Sequence, residues 1–151
     1  MIEFDKCRKL FIDFDGVIVD SNKFKELAIK RSIYKLMGKN KISTDAINYF
    51  NINAGVSRFK KLSLFYKNED IKNILDLYSE QCRLFFMKAS PTKGLKKFLE
   101  YIKNDKNHVK IFILSGGEKK EIYLFLKKNY LLSYFEEILA SGKNKVDHLN
   151  E

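Results

Sequence analysis

Two carboxylates stand one residue apart at the end of an apolar run near the start of the sequence. In LFIDFDGVIVDS, Asp13 and Asp15 come directly before a glycine, where a buried strand would end. A buried carboxylate without a compensating partner is costly, so the pair predicts a divalent cation or a phosphoryl group beside it. The alternative is a pair of turn residues, since Asp-Gly is common in turns. Asp13 lies inside the apolar run, which argues against that alternative.

Two further segments carry groups that suit phosphate chemistry. Residues 109–114 (VKIFIL) lead directly into Ser115-Gly116-Gly117, which offers a hydroxyl and backbone N–H groups, or else simply a strand-to-helix turn. Lys143 and Lys145 follow a third apolar stretch near the end of the sequence. Ligands of open α/β sheets gather at the carboxyl ends of the strands, so the acids, the hydroxyl and a lysine are expected to share one site.

Hydrophobic periodicity predicts the elements that would position these groups. Residues 9–14, 109–114 and 135–140 are predicted strands, and the first is apolar on both faces, as in a central parallel strand. Amphipathic helices fill the sequence between the first strand and Pro91, and the strongest covers 69–88. Single helices are then predicted from Leu95, with Leu95, Phe98, Leu99 and Ile102 on its buried face, and over 118–129.

This order of elements predicts an α/β fold with a Rossmann-like parallel sheet and an inserted helical cap domain. The core would comprise residues 1–19 and 90–151, and the cap residues 20–89. The helices of the cap are expected to begin at polar caps such as Ser43 and Ser57, and the first is expected to end at Gly38.

Composition narrows the class of protein. The 151 residues are 45% hydrophobic, enough for a packed core, and they contain neither an 18-residue apolar run nor a signal-peptide pattern. We therefore expect a soluble cytoplasmic protein without a membrane partner. Cys7 and Cys82 are far apart and are expected to be ordinary reduced thiols. The net charge is +10, but the lysines alternate with Asn, Glu and Asp along the sequence, which argues against a nucleic-acid partner and suits a small phosphorylated metabolite.

The motifs and their order resemble those of the haloacid dehalogenase-like hydrolase superfamily. The segment from Asp13 to Val17 (DFDGV) resembles the first signature, Asp-x-Asp-x-Thr/Val, and Ser115 in ILSGG resembles the second. Residues 134–145 resemble the stretch that leads to the third signature, a lysine. The helical block resembles a cap inserted after the first motif, and residues 91–95 (PTKGL) resemble the turn that re-enters the core.

The resemblance implies a Mg²⁺-dependent phosphohydrolase that acts through an aspartyl-phosphate. Asp13 would be the nucleophile, Asp15 would serve as general acid and base, and both would hold Mg²⁺. Ser115 would hydrogen-bond the transferring group. Lys145 would neutralise its charge, with Lys143 as the competing lysine.

The resemblance also implies a substrate class. It would be a small phosphomonoester such as phosphoglycolate, a sugar phosphate or a nucleotide, held by the backbone at Gly16, Gly116 and Gly117. Arg58 resembles an arginine that phosphoglucomutase-like members use on the far phosphate, and the alternative is a solvated arginine on a helix. Phosphoglucomutase-type transfer and a catalytically silent binding module are the rival functions.

The sequence departs from the family pattern at its end. The fourth signature, an acidic group after a further strand, does not occur before residue 151. Without further strands, the strand at 9–14 would be an edge that invites pairing with another chain, including a second copy. Three interpretations stay open: a fragment of a longer protein, which we favour, completion by a partner, or an inactive relative.

Overall fold

The computed structural model describes residues 6–38, 44–53, 56–106 and 108–140. Its elements, in chain order, are β1 (Lys9–Ile12), α1 (Asn22–Met37), α2 (Thr44–Ile52), α3 (Arg58–Leu62), α4 (Asn68–Phe86), α5 (Leu95–Asp105), β2 (Lys110–Ser115), α6 (Lys119–Lys128), a 3-10 helix (Leu132–Tyr134) and β3 (Glu137–Ala140). Within these ranges, every helix is too short or too polar to pass through a bilayer.

The described residues divide into two compact units. Those within Met1–Asp20 and Phe86–Glu151 form the first unit, and those within Ser21–Phe85 form the second. The first unit contains the strands and the second contains α1, α2, α3 and nearly all of α4. The predicted cap covered residues 20–89.

The first unit is built on one parallel sheet with the strand order β1-β2-β3. Ile12 pairs with Ile113, and Ile113 pairs with Ile138, so these three side chains share one face and are buried there. On the opposite face the ring of Phe11 stacks on that of Phe112, with 5.3 Å between centroids. The predicted parallel α/β sheet is therefore confirmed.

The position of β1 differs in part from the prediction. We expected residues 9–14 to be a central strand from their apolar sequence, but β2 is the central strand of the described sheet. β1 lies at its edge, as expected for a core that lacks further strands. The burial agrees with this order, since four residues of β2 are buried and only one of β1.

The first strand also ends earlier than predicted, at Ile12 instead of Phe14. The carbonyl of Phe14 accepts two turn hydrogen bonds, from the N–H of Ile18 at 3.0 Å and from that of Val19 at 3.2 Å. A backbone committed to this turn cannot continue the ladder with β2. Phe14 is nevertheless fully buried, and its ring lies 5.4 Å from those of both Phe86 and Phe125.

The helices of the first unit follow the predicted pattern with one exception. Leu95, Leu99 and Ile102 of α5 are buried, whereas Phe98, predicted on the same face, is 37% exposed. Phe98 lies at the flank of the stripe that the other three residues form, because successive residues on a helix are turned by about 100°. The core therefore covers only part of its ring.

The second unit contains a polar contact between its longest helices. Ser32 of α1 is fully buried, and its hydroxyl donates to the Ala28 carbonyl at 2.8 Å. Gln81 of α4 donates to the Ser32 hydroxyl at 2.8 Å, which joins the two helices. Ser57 caps α3 as predicted, with its hydroxyl accepting the Lys60 N–H at 3.2 Å, and α1 ends at Gly38 as predicted. Ser43 lies outside the described residues.

The end of α6 places a tyrosine in a conformation that favours glycine. Tyr130 has a φ of 57°. Its N–H donates to the Lys127 carbonyl at 3.2 Å, and the Leu131 N–H donates to the Leu126 carbonyl at 2.9 Å. This is a Schellman motif, in which glycine usually occupies the left-handed position.

Tyr130→Gly should raise the free energy of unfolding by roughly 0.5–1 kcal/mol, because relief of the left-handed strain exceeds the entropy that glycine adds to the unfolded chain. Urea denaturation measures the change. Tyr123→Gly, within α6, is the matched control and should lower the free energy by about 0.5 kcal/mol. A loss of stability in Tyr130→Gly would contradict the assignment of strain.

Candidate active site

A tight loop after β1 carries both acids. Gly16 has a φ of 78°, and its N–H donates to the Val19 carbonyl at 2.8 Å. Asp13 Oδ1 accepts the N–H of Phe14 at 2.8 Å, which orients that carboxylate at the end of the strand. Asp13 and Asp15 are half-buried, whereas Gly16 is exposed. A non-glycine residue would be strained at the position of Gly16.

The segment that re-enters the core anchors this loop. The backbone N–H of Thr92 donates to the Ile18 carbonyl at 3.0 Å, and its hydroxyl donates to the Val17 carbonyl. Gly94 then takes a φ of 88° directly before α5. The PTKGL turn therefore fastens the acid loop, a role that the sequence did not reveal because the two segments are more than 70 residues apart.

Ser115 occupies the last position of β2 and is 1% exposed. Its hydroxyl accepts the N–H of Gly117 at 3.0 Å. A Cβ on Gly117 would lie 3.2 Å from Ser115 Oγ and 3.7 Å from Asp15 Oδ2. The structure thus brings the second acid and the serine hydroxyl together against one glycine, whose missing side chain leaves them room.

The carboxyl ends of β1 and β2 bring together groups that can bind an anion and groups that carry negative charge. β1 and β2 are parallel, so Asp13, Asp15 and Ser115 all lie at the carboxyl ends of these strands. α6 begins at Lys119, shortly after Gly116 and Gly117, and the N-terminal end of a helix favours negative charge. A hydroxyl and a helix N-terminus suit a phosphoryl group. The two carboxylates would repel that group unless a cation or a proton lay beside them.

The donor set is compatible with magnesium. In the described part of the chain, no three His, Cys, Asp or Glu side chains form a group that could hold a metal ion. Mg²⁺ does not need such a group, since it often takes one or two carboxylates and completes its shell with water and phosphate oxygens. The Asp13 carboxylate and the backbone carbonyl of Asp15 would supply oxygen ligands of this kind.

The other predicted site residues are Lys143, Lys145 and Arg58. Lys143 and Lys145 fall outside the described residues. Arg58 belongs to the second unit and is the first residue of α3. Its guanidinium carbon lies 4.8 Å from the ring centroid of Tyr78, and its Nη1 donates to the Ser79 hydroxyl at 3.4 Å. The sequence did not indicate Tyr78 as a support for Arg58, because its helical spacing marks it only as a core residue.

Comparison with solved structures shows the fold class. A predicted phosphatase from Clostridium acetobutylicum superposes with a TM-score of 0.72 at 16% identity, covering 95% of this chain and 68% of that one. A haloacid dehalogenase-like family hydrolase from Streptococcus pneumoniae gives 0.68 at 16% identity, with coverages of 95% and 68%. A predicted phosphoglycolate phosphatase from Haemophilus somnus gives 0.67 at 11% identity, with coverages of 91% and 64%. The chain therefore has the α/β fold of these hydrolases.

The family follows from the sequence match. The model of the haloacid dehalogenase-like hydrolase family matches residues 10–147, and the chain belongs to that family. A comparison with curated proteins finds no match. The chain spans about two thirds of the length of the similar solved structures, from 61% to 69%.

Thr92→Val should lower the free energy of unfolding by about 0.5–1 kcal/mol, because the Val17 carbonyl loses its hydroxyl donor while the side-chain volume is nearly kept. Thermal and urea denaturation measure the change. Thr92→Ser retains the hydroxyl and should stay closer to the wild type. Equal losses in the two variants would show that the hydroxyl does not anchor the loop.

Proposed function

We propose that this protein hydrolyses a small phosphomonoester, with Asp13 as the nucleophile. The observation that carries the proposal is the convergence of Asp15 Oδ2 and Ser115 Oγ against Gly117, at the carboxyl ends of the strands, where Asp13 directly follows β1. Membership of the haloacid dehalogenase-like hydrolase family supports this reaction class. Similar solved structures described as predicted phosphatases support the choice of substrate class.

The proposed reaction has two steps. A carboxylate oxygen of Asp13 bonds to phosphorus, the bond from phosphorus to the ester oxygen breaks, and Asp15 gives that oxygen a proton. Asp15 then takes a proton from water, which attacks phosphorus, and the bond from phosphorus to Asp13 breaks. Free phosphate leaves and Asp13 is restored.

The other predicted site residues have the following roles in the proposed reaction. The Phe14 N–H holds the Asp13 carboxylate in one orientation. The Ser115 hydroxyl and the backbone at Gly116 bind the phosphoryl oxygens, while Gly117 donates its N–H to Ser115 Oγ and leaves room for the substrate, with Gly16 beside the second acid. Lys145, or Lys143 in its place, supplies positive charge. Mg²⁺ bound by Asp13 and Asp15 would offset the repulsion between the nucleophile and the anionic substrate.

Asp13→Asn should reduce the rate of p-nitrophenyl phosphate hydrolysis in the presence of Mg²⁺ by at least about a thousandfold, because an amide cannot replace the carboxylate nucleophile. Release of p-nitrophenol measures the rate. Asp20→Asn, at an exposed position after the same loop, is the matched control and should keep the wild-type rate. Chelation of Mg²⁺ should abolish wild-type turnover, and its return should restore it.

Three outcomes would contradict the proposal. A wild-type protein that is folded by circular dichroism but shows no turnover would favour the silent binding module. Turnover that survives in Asp13→Asn would assign the reaction to another residue. Phosphate found on an added sugar, instead of in solution, would favour the phosphoglucomutase-type transfer.

We propose in addition that Arg58 recognises a second anionic group of the substrate. The guanidinium is half-buried and supported by the ring of Tyr78, which limits its freedom and lowers the entropy lost on binding. Arginine also binds phosphate or carboxylate in a bidentate manner.

Arg58→Ala should raise KM about tenfold or more for phosphoglycolate or a sugar bisphosphate, while leaving kinetics with p-nitrophenyl phosphate nearly unchanged, since only the former carry a second anion. Steady-state kinetics with both kinds of substrate measure this difference. Arg83→Ala is the control, because Arg83 is an exposed arginine of the same unit paired with Glu80. Equal effects on both kinds of substrate would leave Arg58 a structural residue.

A further inference from the structure

α6 presents a face of alternating basic and aromatic side chains, which we call the lysine–tyrosine face. It consists of Lys120, Tyr123, Leu124, Lys127 and, one residue past the helix cap, Tyr130. Lys120, Tyr123, Leu124 and Lys127 stand at positions i, i+3, i+4 and i+7, so they lie along one side of the helix. Tyr130 follows three residues after Lys127, in the turn that ends α6. All of them are exposed, with Tyr123 at 46%, Leu124 at 47% and Tyr130 at 88%.

The face is uniformly positive. Every exposed charged residue within α6 is a lysine, and its glutamate, Glu121, is buried on the inward side. Along the sequence the lysines appear evenly spread, which argued against a nucleic-acid partner. The helix gathers Lys120 and Lys127 with Tyr123 on one side, and Tyr130 follows directly after the helix, so the lysines are no longer evenly spread.

Tyr130 is an independent observation that points to a ligand. It places an aromatic ring almost entirely in solvent, at a left-handed position that glycine would fill without strain. Neither burial nor local backbone preference accounts for a tyrosine there. Residues held in sparsely populated backbone conformations cluster at functional sites, ligand-binding segments among them.

We propose that the lysine–tyrosine face binds single-stranded nucleic acid. Bases would stack on Tyr123 and Tyr130, and phosphates would lie beside Lys120 and Lys127. Lys120 and Lys127 are about 10 Å apart along the helix, a distance that a short stretch of single strand bridges, and Tyr130 lies just past the helix end. The broad apolar side of α6 is buried in the core, and the lysine–tyrosine face has Leu124 as its one aliphatic side chain, which is less apolar surface than an amphipathic helix inserts into a lipid surface.

Fluorescence anisotropy with a labelled single-stranded oligothymidylate tests the proposal on the whole chain at low salt. Lys120→Gln combined with Lys127→Gln should weaken binding about tenfold and reduce the slope of log K against log salt by about 1.4, the value for two phosphate contacts. Lys93→Gln with Lys97→Gln removes the same charge from exposed positions elsewhere in the first unit and should change binding less than twofold.

The tyrosines provide a second, charge-independent test. Tyr123→Ala and Tyr130→Gly should each weaken binding about tenfold by removing a stacking platform. Tyr101→Ala, which removes a ring of 44% exposure from α5, should have no effect. Tyr130→Gly relieves strain, so its loss of affinity cannot result from unfolding.

Several results would overturn the proposal. These are the absence of oligonucleotide binding by the wild type, equal losses in the two lysine pairs, and unchanged affinity in both tyrosine variants. Binding to anionic phosphatidylserine vesicles in preference to the oligonucleotide would identify the face as a lipid surface and would equally overturn it. Since p-nitrophenyl phosphate hydrolysis is measured separately, the outcome is independent of the proposed catalytic function.

Discussion

The parallel pairing of β1 with β2 is the constraint on which the candidate site depends. Leu10 pairs with Ile111 and Ile12 with Ile113, so the carboxyl ends of the two strands lie side by side. This register alone brings residues from positions 13–16 near those from 115–117. The buried isoleucines hold it in place, because a slip of one residue would move them to the opposite face of the sheet.

The loop after β1 places a buried aromatic side chain between two acidic side chains that stay partly exposed. Phe14 is buried among aromatic rings, whereas the acids on either side of it are half-buried and polar. The turn bonds at the Phe14 carbonyl, together with Gly16, allow the ring to point inward while both acids stay at the strand edge. Thr92 then fastens the loop from a distant segment. The two acids are therefore carried on a loop whose backbone is fixed by hydrogen bonds.

Much of the architecture could be predicted from local patterns. Helical spacing located the strongest helix, α4, and the apolar runs located the three strands, because such periodicities reflect which faces are buried. The failures share one cause. The end of β1 and the exposure of Phe98 depend on which neighbours are present, and periodicity does not report neighbours. The same limit applies to Lys120 and Lys127, whose grouping with Tyr123 and Tyr130 is visible only on the folded helix.

The sequence by itself determined the order of the elements and the residue types at the strand ends, and its motifs placed the chain in its family. These features are local, since spacing and composition within a short window suffice to set them. Only the tertiary structure decided that Asp15 and Ser115 meet against Gly117, that Thr92 anchors the acid loop, and that Tyr78 supports Arg58. Those contacts join residues that are 20 to 100 positions apart in most cases, and the packing of buried side chains, not any local preference, sets such distances.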